Sequence, residues 1–335
     1  GSGTPCCAAA AQGRDWRAAL DGCRVSRAVD GASVDAADLV LPDTGCVAAA
    51  FLTHFGDLDC WEMARPLVDD LDALAAAGVQ VVAIGIGSVD AAKAFAKCAN
   101  FPEELLYADP DARCYAAMRF APGLGGAKQD EVARRLALNG YAKLLLMCLG
   151  VGSPGTLAHV ATGYFGSARR DAVLVAGSNV DVPFVRGAMR VTLGERGNLR
   201  PFELATVRLV HMAKILSNWQ QLAPVKEGDD LDLLVQRGGA VVVKDGVVTF
   251  KHDDRGLLGF CPVKRFVAKA MRAQSAGDGD ETLDEAVGVL HEAAATRRAF
   301  EADLRGAITT LERSKDAKRS VVGDNLTGKW QLIYT

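Results

Sequence analysis

The stretch HFGDLDCWE, His54 to Glu62, follows the apolar run VAAAFL (Val47–Leu52) and opens a long helical pattern. A helix start carries about half a positive charge in its unpaired N–H groups. That field stabilises a thiolate, so a cysteine delivered there by a strand is a candidate reactive sulfur. Redox sites of this build carry two cysteines with two residues between them. This chain has Asp57-Leu58-Asp59-Cys60, in which the second cysteine stands and the first is a carboxylate. Asp57 satisfies the same N–H groups as a helix cap, but a carboxylate neither attacks a peroxide nor forms a disulfide.

Outward from this point the elements alternate. CVAAAFL reads as a buried strand. CWEMARPLVDDLDALAAAG reads as a helix with Met63, Leu67, Leu71 and Leu74 at helical spacing, a candidate kink at Pro66 and a stop at Gly78. VQVVAIGIG is a β-branched strand, Ser88 is an N-cap for VDAAKAFAKCA, ELLYAD is a short strand and PDARCYAAMRF a short helix. Strands alternating with helices predict a parallel-type sheet covered on both faces. Residues 1–40 read as an irregular tail with one short helical piece near RDWRAALDGC. Gly1 stands where a Met would begin a gene product, so GSGTPCCAAAAQG reads as the remnant after a removed transit peptide or as an added leader.

The regular order pauses over about residues 121–228. Leu144–Ala168 holds no Lys, Arg, Asp or Glu, and Pro154-Gly155 with four further glycines keeps it from being one spanning helix. It reads as a buried helix plus a glycine-rich loop, or as an apolar surface facing a membrane complex. RPFELATVRLVHMAKILSNWQQLAP reads as a helix opened by Pro201. Phe202, Ala205, Leu209, Met212, Leu216 and Trp219 form its apolar face, expected to pack on the sheet or to hold a partner. AVVVKDGVVTF is a hairpin around Asp245-Gly246, followed by the helical CPVKRFVAKAMRA. His252-Asp253-Asp254-Arg255 reads as a solvated loop. QSAGDGDE (274–281) is a linker, and Thr282 with Glu285 caps a further helix.

Bulk properties exclude several classes. In 335 residues the net charge is −3, which offers no electrostatic footprint for nucleic acid. Nine scattered cysteines are an odd count with no repeated spacing, which suits a thiol-reducing compartment rather than a disulfide scaffold. No zinc spacing, phosphate-binding loop, dinucleotide fingerprint or Gly-x-Ser-x-Gly elbow is present.

The blocks FLTHFGDLDCWE, VVAIGIGSVDAAKAFAKCANFPEELLYADPDARCYAAM, RPFELATVRLVHMAKILSNW and LVQRGGAVVVKDGVVTFKHDD occur in that order. Together they resemble the peroxiredoxin-like members of the alkyl hydroperoxide reductase/thiol-specific antioxidant family, over about Leu41–Ala273. The resemblance implies an α/β, thioredoxin-like fold over 41–273, with a large, mainly helical insertion at about 121–228. In that family the block after HFG carries Cys-x-x-Cys, so Asp57 stands at the nucleophile's position. Thioredoxin folds also place a cis-proline before the hairpin, where this chain has Gly238-Gly239. The end, ITTLERSKDAKRSVVGDNLTGKWQLIYT, resembles the opening of a plastid lipid-associated protein (fibrillin) domain. Residues 282–335 are then a partial fibrillin-like segment, a helix-plus-strand extension, whose single strand closes no barrel.

These resemblances give three expectations. In the first, a plastid protein of the stroma or stromal thylakoid surface has a degenerate site and is non-catalytic or nearly so. It serves as a structural or assembly partner of a thylakoid complex such as a photosystem with its light-harvesting proteins. In the second, a thiol-dependent peroxidase or oxidoreductase uses Cys60, with His54 as a base and Cys98 or Cys114 as resolving partner; Asp57, Asp59 and Glu62 oppose its thiolate, and Arg65 is the nearest cation in sequence. The third is a lipid- or isoprenoid-associated protein of fibrillin type. No cofactor or metal is expected, bound pigment or lipid in the insertion being an open alternative.

Overall fold

The computed structural model describes residues 16–124, 138–153, 156–157, 179–182, 189–192, 201–224, 231–254 and 256–275. Two units part at Gln274; the described elements belong to the first, and residues 276–335, including the fibrillin-like segment, lie outside the described residues. The expected strand is β3, Cys46–His54, buried along its whole length. It pairs in parallel with β4, Val79–Ile86, and antiparallel with β8, Gly239–Lys244. A strand flanked on both sides and covered on both faces has no wet surface, so it reads as a continuous apolar run. Ala48, Ala50 and Leu52 point into one core, and Val47, Ala49 and Phe51 into a second core across the sheet.

The remaining strands extend this centre. β5, Leu106–Ala108, pairs in parallel with β4, and β9, Val247–Asp253, closes the hairpin with β8. Asp245 and Gly246 have φ of 49° and 76°, the two left-handed positions that a tight hairpin turn requires. The sheet runs β2-β1-β5-β4-β3-β8-β9. Here the structure corrects the reading of residues 1–40 as a tail. Arg24–Arg27 (β1) and Ser33–Asp35 (β2) form a hairpin whose first strand pairs antiparallel with β5. Both strands are short and partly exposed, so they lack the apolar signal that marks the centre.

Helix α1, Ala36–Val40, follows β2. α2, Leu58–Ala76, runs through Pro66, and Gly78 follows its end at φ 77°. α3, Val89–Ala99, is capped by Ser88, whose hydroxyl accepts from the Ala91 N–H at 3.1 Å. α4 spans Arg113–Ala117. In the insertion, α5, Gly140–Cys148, α6, Pro201–Ser217, and α7, Trp219–Leu222, are described, with a separate two-stranded sheet of β6, Asn179–Val182, and β7, Met189–Thr192. α8, Val263–Ser275, ends the described chain. Among the described residues no helix is long and apolar enough to cross a membrane.

α6 is turned away from its expected face. Leu209 and Leu216 are each 66% exposed and Met212 39%, whereas Val207, Arg208, Val210 and Ile215 are buried. The Arg208 guanidinium donates to both oxygens of Glu62 on α2, at 2.6 and 3.1 Å, and the His211 ring lies 5.6 Å from Trp61. A paired, buried charge fixes the helix's rotation, because breaking the pair would strand an ion in the core. The uncharged segment behaves similarly where it is described: Leu145 on α5 and Leu149 just after it are each 64% exposed, while Met147 is buried.

Gly238, just before β8, and Gly239, its first residue, are held by contact with neighbouring backbone. A Cβ on Gly238 would lie 2.0 Å from the Phe51 carbonyl oxygen, and one on Gly239 2.2 Å from that of His252. Gly238→Ala is therefore expected to lower the unfolding free energy by about 1–3 kcal/mol, the usual cost of overpacking. Urea titration of the variant against the wild type measures it.

Candidate functional site

The end of β3 and the start of α2 place Asp57 at the helix cap, in extended backbone (φ −96°, ψ 138°), its carboxylate accepting from the Asp59 N–H at 3.3 Å. The expected cap is therefore present. The chain then supplies a partner from 180 residues away: Arg237 Nη2 donates to Asp57 Oδ2 at 3.0 Å. Its Nη1 donates to Asp59 Oδ2 at 3.3 Å, and its Nε to the Val235 carbonyl at 3.1 Å. The Arg237 side chain is fully buried. Asp59 also accepts from the Leu258 N–H, at 2.8 and 3.0 Å to its two oxygens. One guanidinium thus ties the start of α2 to the approach to β8, and Asp59 ties it to the segment after β9.

A third carboxyl completes the cluster. Asp254 is buried, and its N–H donates to the Gly238 carbonyl at 3.1 Å. This corrects the reading of 252–255 as a solvated loop, of which Arg255 lies outside the described residues: His252 lies in β9, and its Nε2 is 3.6 Å from Asp254 Oδ1. Burial pushes the Asp57 carboxyl up, but Arg237, then His54 and the Asp59 N–H, outweigh it and hold the group below its ordinary value. Burial, with Asp57 adding repulsion, drives Asp59 well above the ordinary carboxylate range. Burial raises Asp254 to about 8. The field of one Arg thus suits one ionised carboxylate, Asp57, while Asp59 is pushed toward its neutral form and Asp254 is the neutral acid near pH 7.

The thiol has no comparable support. Cys60 is buried, and burial, then Asp57 and Asp59, pushes it well above the ordinary thiol range. His54 is also buried; burial lowers its pKa to about 4, so it is neutral at pH 7. Its ring packs edge-on against Trp219, with centroids 6.1 Å apart. Cys114 belongs to the core on the opposite face of the sheet from Cys60, which removes it as a resolving partner. Cys98 packs against the Cys60 side. Glu62 is taken up by Arg208 rather than left facing the sulfur. Sequence reasoning missed Arg237, Arg208 and Asp254; the cation that matters is Arg237, not Arg65. The available signal was an arginine inside LVQRGGAVVV, just before an apolar, β-branched run.

The family model described as AhpC/TSA antioxidant enzyme matches residues 66–256. The chain belongs to this family. The AhpC/TSA match takes in Arg237 and Asp254 and begins after Asp57–Cys60. A curated relative, the thioredoxin-like protein AAED1, chloroplastic, of Arabidopsis thaliana, is 36% identical over 87 residues, 26% of this chain and 35% of that protein. The chain thus matches about a third of that relative's length.

In this AhpC/TSA chain the thioredoxin-like framework holds an ion cluster where the helix field meets the hairpin. Arg237→Leu is expected to cost about 3–5 kcal/mol by leaving the Asp57 carboxylate buried without a cation, and Asp57→Asn in the same chain should recover part of it; urea unfolding of the three proteins checks both. Asp254 adds a pH dependence. A carboxyl near 3.9 when unfolded and about 8 when folded stabilises fully below the lower value, and its contribution is lost as pH rises through the upper one. Unfolding free energy should fall from pH 6 to 8, by up to about 1.4 kcal/mol per unit for one proton, with a shallower slope in Asp254→Asn.

Proposed function

We propose that this chain is a plastid thioredoxin-fold protein whose redox position has become a structural ion cluster. It works as a structural or assembly partner of a thylakoid photosynthetic complex such as a photosystem, bound peripherally. The observation that carries the reading is the Arg237–Asp57 pair: the position of the nucleophile is filled by an acid that a buried guanidinium holds in place. The remaining sulfur offers no substitute, because Cys60 is buried and its thiolate is disfavoured by burial and two acids. The chloroplastic relative supports the plastid. Exposed Leu145, Leu149, Leu209, Met212 and Leu216 supply apolar surface of the kind that protein partners cover.

Two measurements on the full chain test this. With hydroperoxide and excess dithiothreitol, the wild type should consume peroxide no faster than Cys60→Ser, and iodoacetamide near pH 7.5 should label exposed Cys148 before Cys60. Fractionation of solubilised thylakoids should show the chain migrating with a photosynthetic complex. Turnover at an enzyme's rate that Cys60→Ser abolishes would replace this reading with a peroxidase using Cys60. Recovery of the chain solely as a free stromal protein would end the partner assignment.

A further inference from the structure

Two thiols on the far side of the sheet meet outside the cluster just described. Cys23 immediately precedes β1, and Cys114 lies in the first turn of α4. The antiparallel pairing of β1 with β5 brings the two together, since α4 follows β5. Cys23 packs against the buried core that contains Cys114, and each thiol lies close enough to perturb the other's ionisation. Cys114 is wholly buried and held by its backbone, its N–H donating to Asp109 Oδ2 at 2.8 Å. Cys23 is half-buried, and its sulfur otherwise makes one long contact, 3.8 Å to the Ala19 carbonyl. One partner is thus reachable from solvent and lightly held, and the other is fixed and sheltered behind it. That asymmetry is what sequential thiol–disulfide exchange uses: an accessible thiol is attacked or attacks first, and a neighbour displaces the adduct.

We infer that Cys23 and Cys114 form a reversible disulfide that fastens the β1–β2 hairpin to α4, with a small oxidised disulfide such as oxidised glutathione as the oxidant. The Cys23 thiolate attacks one glutathione sulfur, breaking its S–S bond and releasing one glutathione. Cys114 then attacks the Cys23 sulfur of the mixed disulfide, breaking its S–S bond, and its proton passes to the departing second glutathione. Two protein thiols are oxidised, one disulfide is reduced to two thiols, and the protons balance. Burial, then Asp109 and Asp35, raises the Cys23 thiol while Arg113 opposes them, so exchange should quicken as pH rises from 7 to 9. This reaction is independent of Cys60, which lies in the other core.

The full chain carrying Cys148→Ser, which removes an exposed thiol, is equilibrated with oxidised glutathione at pH 8.5 and digested with trypsin without reduction. Mass spectrometry should find peptides 18–24 and 114–119 joined through their single cysteines. The oxidised protein should also melt at a higher temperature than the reduced one, and the difference should vanish in Cys23→Ser, a half-buried site where serine leaves the core intact. Recovery of Cys23 as a glutathione adduct beside free Cys114 would overturn the inference, as would an equal melting shift in Cys23→Ser.

Discussion

The buried guanidinium of Arg237 is the constraint around which this end of the molecule is organised. Out of water it needs a counter-charge, and the cap of α2 provides one in Asp57. The same side chain reaches Asp59, whose other bonds secure Leu258 in the segment after β9. Three stretches distant in sequence, the start of α2, the approach to β8 and the exit from β9, are thereby set at one point. Gly238 and Gly239 let the backbone come close enough for this, the first against Phe51 and the second against His252.

The chemistry of the helix start explains how such a cluster fits there. Unpaired N–H groups favour any anion, sulfur or oxygen alike. An aspartate at this place has the electrostatic fit that a thiolate would have, without the nucleophile. The cost appears next door: each further acid in a dry site resists ionisation, which is why Asp59 and Asp254 are driven toward their neutral forms. Cys60 stands beside these acids and is disfavoured as a thiolate for the same reasons.

Much of this was legible in the sequence wherever the determinants are local. β3 and β4 announce themselves as apolar runs, Ser88 and Asp57 as caps, and Asp245-Gly246 as a hairpin turn. The features that escaped depend on partners far along the chain. Arg237 is one charge among many until the fold places it 180 residues from its acid. Arg208 rotates α6 against the count of its apolar residues, because a matched ion pair in the core outweighs several exposed leucines. The β1–β2 hairpin is short and polar at its edge, so periodicity gives it no weight, and Asp254 looks solvated in any window that omits Gly238.

The sheet also partitions the protein's sulfur. Residues alternate along β3 between two separate interiors, with Cys46 and Cys60 in one and Cys114 in the other. Sulfur-to-sulfur relay requires direct contact at bonding distance, and a continuous layer of hydrogen-bonded backbone allows none through its middle. The two sides therefore behave as separate chambers for exchange: whatever oxidation state one acquires, no sulfur hands it directly to the other.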